Sequence, residues 1–328
     1  MGRLLDLAVD LAVMTASLNP PVLRRNIVVM AGDHGVTRQG VSQYPADVTA
    51  QMVRNFAAGG AAINAVARTA GSDLVVVDMG VNADLGDLVA SGAVLDRRIA
   101  AGTADFSLGP AMSSDQARAC IEAGICVAAD LAPATDLLGT GEMGIGNTTS
   151  SAAIAASITG LPPADITGRG TGIDADRLRH KISVVERSLA VNDPDPKDGL
   201  DVLAKVGGFE IGGLTGLILG SAARQRPILV DGYIATAAAL IATTIAPAAA
   251  DYLILVHSSA EAGHAAMCDH LRKKPLLDLD LRLGEGTGAA LAMPLLRLQH
   301  ECSPMCTHSP TRASTDQRIN QTIDYPAL

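Results

Sequence analysis

Residues 227–256 read PILVDGYIATAAALIATTIAPAAADYLILV, and the division of this stretch decides the fold. Its apolar part, Ala235 to Val256, is the longest in the chain, but Pro247 and Asp251 break it and Thr243 and Thr244 sit inside it. A membrane span needs about 20 nearly unbroken apolar residues, so the stretch is a buried helix followed by a buried strand. Pro227–Val230 and Tyr252–Val256 have strand length, and the Ala-rich Ala235–Thr244 between them has helix length. Both strands are apolar at successive positions rather than alternating, as expected of parallel strands covered on both faces.

The same alternation extends outward. Asn26–Met30, Leu74–Asp78 and Thr135–Leu138 are further apolar runs of strand length. Helical stretches separate them: Ser113–Ala132, with Ser113 or Ser114 as N-cap, Asp174–Leu189, Gly212–Arg224 and Thr287–Gln299. This predicts an α/β fold with a doubly wound, mostly parallel sheet. Each polar, glycine-rich word follows a strand: AGDHGV, DMGVNAD, GTGEMGIGNTT, DGY and HSSAEAGH. Open α/β sheets bind ligands beyond the carboxyl ends of their strands, so the five words describe one site.

The composition suits a large buried core. The chain has 328 residues, 48% apolar and 18% charged, which excludes gross disorder. With no Trp and three Phe it lacks stacking platforms, and a net charge of −9 without a basic stripe argues against nucleic acid or anionic membrane as partner. Asp6 and Asp10 interrupt any targeting segment in the first turns. The five cysteines are scattered, Cys120 and Cys126 within a helical pattern as small buried hydrophobes, so a reducing cytoplasm is the expected compartment.

Several motifs carry chemistry. GTGEMGIGNTT contains G-x-G-x-x-G at Gly139, Gly141 and Gly144, a weak signal alone. The glycines continue to Gly146, and Asn147, Thr148 and Thr149 resemble a helix start, so the word either cradles an anion or makes a tight turn. Glu142 inside it would repel phosphate and better suits ribose hydroxyls or a cationic ring. GRGTGID precedes another helix, capped by Thr171 or Asp174, and Lys181 lies one to two turns into it. A solvated helix face is the commoner fate of such a lysine. Glu285, between Gly284 and Gly286 before a helix, reads as an unshielded carboxylate or as a capping residue. Asp33 and His34 form a polar pair past a strand. His257 and His264 share a face only if their segment is wholly helical. His300, Cys302, Cys306 and His308 could form a zinc set, but their spacing is tight for one.

Together the words MAGDHGV, GVSQYPADVTAQM, GGAAIN, GTADF, GEMGIGNTT, GRGTGID, HKI, GGFEIGGLTGLILGSA, PILVDGYIATAAALI, HSSAEAGH and LDLDLRLGEGTGAALAMPLL resemble the nicotinate-nucleotide–dimethylbenzimidazole phosphoribosyltransferase family. The resemblance runs from Gly2 to Leu296. It implies a large Rossmann-like α/β domain over 24–280 and a small helical domain built from 1–23 with 281–328. It implies a homodimer, small-molecule substrates and no metal or other cofactor. By resemblance Glu285 is the catalytic base. Glu142, Gly144, Gly146, Asn147, Gly170, Gly172, Lys181 and Ser259 contact the nucleotide, and Ser42, Tyr44, Gln51, Met143 and Leu283 form the base pocket. The implied reaction moves the phosphoribosyl group of nicotinate mononucleotide to 5,6-dimethylbenzimidazole in cobalamin lower-ligand synthesis.

The two ends depart from the family, which usually has a longer start and a different closing helix. The expectation drawn is a truncated or frame-shifted product with an incomplete helical domain. Two other functions compete. A non-catalytic nucleotide- or base-binding homologue would keep binding and lose turnover. A dinucleotide oxidoreductase would need an acidic ribose ligand at the end of the next strand. Asp165 lies at a suitable distance, but no clear strand precedes it.

Overall fold

The computed structural model describes residues 2–170 and 172–302, and side chains as far as residue 297. Its strands, in chain order, are β1 (Arg25–Gly32), β2 (Asp73–Gly80), β3 (Leu95–Asp96), β4 (Leu137–Met143), β5 (Ile228–Val230), β6 (Leu253–Leu255), β7 (His257–Ser259) and β8 (Leu277–Leu281). The first six form one sheet in the order β3-β2-β1-β4-β5-β6, with every pairing parallel. The chain winds from β1 to one edge, then from β4 to the other, which is the doubly wound α/β arrangement expected. β7 and β8 form a separate parallel pair.

Every residue of β1 is buried. Val28 and Met30 join the apolar cluster on one face, which includes helices Ser114–Leu131, Phe209–Ala222 and Tyr233–Ile245. Ile27, Val29 and Ala31 join the cluster on the other, with Leu7, Leu11, Ala289 and Met293. Side chains two apart share a face, so one continuous apolar run serves both layers. On the second face, helix Arg3–Met14 packs on helix Thr287–Cys302, which also touches β1, β4 and β5.

Helix Ser114–Leu131 starts from a capping box, in which Ser113 Oγ accepts the Gln116 N–H and Gln116 Oε1 accepts the Ser113 N–H. Helix Ala175–Asn192 is capped by Asp174, which accepts the Arg177 N–H at 2.8 Å. Thr171, the alternative cap, lies outside the described residues.

The structure corrects several expectations. The strand expected at Thr135–Leu138 runs instead over Leu137–Met143. Asp136 turns its carboxylate to the N–H groups of Leu23 and Arg24 before the strand begins. The glycine-rich letters that follow have the composition of a loop, yet Gly139 and Gly141 are mid-strand. A Cβ on Gly139 would stand 3.0 Å from Ala289 Cβ, and one on Gly141 would stand 2.6 Å from the Glu285 carbonyl oxygen. These glycines admit the last helix and its preceding turn close to the sheet. The G-x-G-x-x-G is therefore not a dinucleotide turn. Asp165 is exposed in the short helix Pro163–Ile166. HSSAEAGH is not one helix: His257 is on β7 and His264 opens helix His264–His270. Cys126 is exposed, not buried. β3, β7 and β8 were not anticipated. Cys306 and His308 lie outside the described residues, as do the side chains of His300 and Cys302. Among the described residues no helix is long and apolar enough to cross a membrane.

Candidate active site

A cavity of about 430 Å³ opens beyond the carboxyl ends of β4 and β5. Three of the five glycine-rich words line it, those after β4, β5 and β6. The words after β1 and β2 do not line it. Of the residues expected at the site, Glu285, Glu142, Gly144, Gly146, Asn147, Gly170, Lys181, Ser259, Ser42, Tyr44, Met143 and Leu283 line this one cavity. Gln51 and Gly172 do not. Gln51 is exposed on helix Val48–Ala57, whose Val48 and Met52 face the cavity instead. Gly172 is exposed, with φ +101°.

Glu285 sits in a backbone run that its neighbours make tolerable. Gly284, Glu285 and Gly286 have φ of +79°, +62° and +87°. Left-handed backbone costs a non-glycine residue about 1 kcal/mol, so the flanking glycines confine the strain to Glu285. The turn is anchored by Asp231 at the end of β5, which accepts the Gly286 N–H at 3.2 Å and the Ala289 N–H at 2.9 Å. Glu285 is 7% exposed, and its Oε2 is buried with no hydrogen-bond partner among the described residues. Burial pushes its carboxyl above the usual range; the Ile63 N–H pulls it down and Asp231 adds to the rise.

Glu142 lines the same cavity as Glu285. The Asn147 side-chain amide donates to Glu142 Oε2 at 2.5 Å. Burial pushes Glu142 up to about 8, against the pull of Asn147 and with help from Asp231 and Glu210. Burial raises Asp231 too, His257 opposing it. His257 Nε2 lies 3.8 Å from Asp231 Oδ1. Three buried carboxylates thus share one cavity, and a cation brought among them favours their charged forms.

The anion-seeking end is built on the helix Asn147–Thr159, which starts at Gly146 with φ +97°. Lys181, expected more often on a solvated face, is 1% exposed. Its Nζ donates to Thr148 Oγ1 at 2.8 Å and to the Gly168 carbonyl at 3.3 Å. Burial lowers it to about 8, with Glu261 opposing. An anion arriving beside this lysine and the helix N-terminus favours its charged form.

His257 and His264 do meet, their ring centroids 6.3 Å apart, but from different elements. His264 Nδ1 accepts the Ser259 N–H at 3.1 Å and its Nε2 lies 3.0 Å from Thr236 Oγ1. Burial and His257 push it down to about 4. It is a neutral strut under Ser259. Among the described residues no His, Cys, Asp and Glu group is arranged to hold a metal ion. Sequence reasoning assigned no role to Asp231, Thr148, Arg169 or Glu261, which also line the cavity. The signal for Asp231 was available, since its DGY word follows a strand.

A buried lysine at a helix N-terminus and buried carboxylates lining one cavity suit a sugar phosphate on which positive charge develops. On a doubly wound sheet this is the equipment of a phosphoribosyl-transferring enzyme. Relatives agree: a family model described as phosphoribosyltransferase matches residues 1–308. The chain is 61% identical over 296 residues to nicotinate-nucleotide–dimethylbenzimidazole phosphoribosyltransferase of Syntrophotalea carbinolica, covering 90% of this chain and 84% of that protein. The same enzyme of Chloroflexus aggregans is 57% identical, covering 90% and 83%. The crystal structure of CobT from Thermus thermophilus superimposes with TM-score 0.88 at 43% identity, covering 92% of this chain and 90% of that one. The chain belongs to the nicotinate-nucleotide–dimethylbenzimidazole phosphoribosyltransferase family.

Proposed function

We propose that the chain transfers the phosphoribosyl group of nicotinate mononucleotide to 5,6-dimethylbenzimidazole, giving α-ribazole 5′-phosphate and nicotinate, in cobalamin lower-ligand synthesis. The observation that carries the reading is Glu285, buried, with an unpartnered carboxylate oxygen, on the wall of a cavity that also holds Lys181. One ring nitrogen of the benzimidazole attacks C1′ while Glu285 takes the proton from the other. The bond from C1′ to the nicotinate ring nitrogen breaks, and nicotinate leaves as a neutral pyridine without an acid. Attack opposite the leaving group inverts C1′, giving an α linkage from a β one. Lys181, Thr148 and the glycines Gly144, Gly146 and Gly170 hold the phosphate and ribose, with Ser259 and Asn147. This holds the sugar in line for attack. Ser42, Tyr44, Met143 and Leu283 take the flat base. Glu142 and Asp231 favour the pyridinium substrate and the charge that builds at C1′. The enzyme works as a cytoplasmic homodimer whose small domain is assembled from both chain ends.

The test is turnover. Nicotinate mononucleotide and 5,6-dimethylbenzimidazole are mixed with the protein, and α-ribazole phosphate is sought by chromatography. Product formation supports the reading, and nucleotide binding without product supports a non-catalytic homologue.

A further inference from the structure

A buried histidine–carboxylate pair takes no part in the mechanism. His34 Nε2 lies 2.6 Å from Glu210 Oε1, and neither side chain has any exposed surface. His34 follows β1, and Glu210 is in the first turn of helix Phe209–Ala222. Three backbone segments close on the pair. A Cβ on Gly208 would stand 2.3 Å from His34 Cε1, and one on Gly32 would stand 2.9 Å from Glu210 Oε2. From the cavity side, a Cβ on Gly144 would stand 3.2 Å from Glu210 Oε1 and one on Gly146 would stand 3.4 Å from His34 Cβ. The pair is thus the floor on which the Gly144–Gly146 turn rests, and that turn leads from Glu142 into Asn147. A buried ion pair adds little net stability once its desolvation is counted, so stability alone is a weak reason for it here. His34 Nδ1 and Glu210 Oε2 are buried without hydrogen-bond partners among the described residues. This leaves the two groups dependent on each other.

The geometry points to His34 and Glu210 as positioning residues that hold the Gly144–Gly146 turn, and with it Glu142 and Asn147, in the pose that receives the nucleotide. The inference rests on the reading of the cavity as a nucleotide site. The pair acts in two ways. It fixes the turn sterically from below. Glu210 also pushes Glu142 upward through its negative charge. Around Glu142 stand Asn147, Asp231 and Glu210, and around Glu210 stand His34, Asp33 and Cys120. Removing the Glu210 charge therefore favours anionic Glu142.

The test measures nicotinate mononucleotide binding by calorimetry from pH 5 to pH 9, with steady-state kinetics alongside. Glu210→Gln and His34→Gln are each expected to weaken nucleotide binding about tenfold, within the range by which residues that touch no ligand modulate a site. The KM for dimethylbenzimidazole stays near the wild-type value. The acid limb of nucleotide affinity moves to lower pH in Glu210→Gln. The double variant recovers part of the loss, because neither buried polar group is then left without its partner. A purely structural role would not move the acid limb. Unchanged nucleotide affinity with superimposable pH profiles overturns the inference, as does an equal rise in both substrates' KM with a drop in Tm. Should the variants fail to fold, the wild type decides through the ¹⁵N resonances of His34. Nucleotide is expected to move them and dimethylbenzimidazole alone is not; no response to nucleotide overturns the inference. Wild type that binds nucleotide without transferring it refutes the proposed activity and leaves the inference standing.

Discussion

Asp231 accepts the backbone N–H of Gly286 across 3.2 Å, and through that bond the end of β5 holds the turn that carries Glu285. A second bond, from the Ala289 N–H at 2.9 Å, fixes the start of the last helix in the same frame. Asp231→Ala removes both. The prediction is a fall in kcat of about a hundredfold, the scale of a 1 Å misplacement of a reacting group, with nucleotide KM less affected. Kinetics with both substrates varied checks it.

Glu285→Gln keeps the size of the side chain and loses the base. Product formation should fall by about a hundredfold or more, with nucleotide affinity near the wild-type value. In the wild type the carboxylate is the active form and burial raises its pKa. The rate therefore falls as pH drops through that raised value, and this acid limb in kcat disappears in the variant. A variant that retains the full rate removes Glu285 from the mechanism.

Lys181 titrates near 8 in the free protein. Its ammonium is present below that value and lost above it, so kcat/KM for the nucleotide should decline on the alkaline side. Lys181→Met should lower kcat/KM about a hundredfold at neutral pH, the scale of truncating a buried charge that pairs with an anion, and flatten the alkaline limb. Initial rates at limiting nucleotide across pH 6 to 10 measure both.

Glu142 is raised to about 8 from an ordinary value near 4.5. Its neutral form is favoured by folding. Its contribution to stability is therefore complete below the ordinary value and is lost as pH rises towards 8. Glu142→Gln removes that loss. The Tm of the variant relative to wild type should rise between pH 5 and pH 9, as thermal melts in matched buffers will show.

Gly284→Ala asks an alanine to hold φ +79° with its Cβ against Glu142 Oε1. The backbone strain costs about 1–2 kcal/mol, and the clash displaces Glu142. Reduced Tm together with weakened nucleotide binding is the expected result. Gly92→Ala, at φ +76° with nothing within 4 Å of its Cβ, should carry the strain and keep the binding.

Much of this fold could be read from local patterns. The apolar runs around Val28, Val76, Leu229 and Ile254 are continuous because both faces of the sheet are covered, and continuity is visible in sequence. Ser113 and Asp174 mark helix starts through bonds to residues three positions on, which sequence spacing reports directly. The chain also placed its glycine-rich words after strands, and so located the site edge. The two-residue β3 and the exposed positions of β8 left too little apolar signal to stand out.

What tertiary structure alone decided was which side chains lose their water. Lys181 reads as a solvated charge in sequence and Glu142 as a ligand, and only packing from distant elements buries them and moves both towards 8. Gly139 and Gly141 read as a loop until the last helix, far along the chain, is seen lying on them. His34 and Glu210 are 176 residues apart, and nothing local to either predicts their 2.6 Å contact. Local patterns encode hydrogen bonds and apolar faces within a few residues. Desolvation and charge pairing depend on the distances between elements, which the folded chain alone sets.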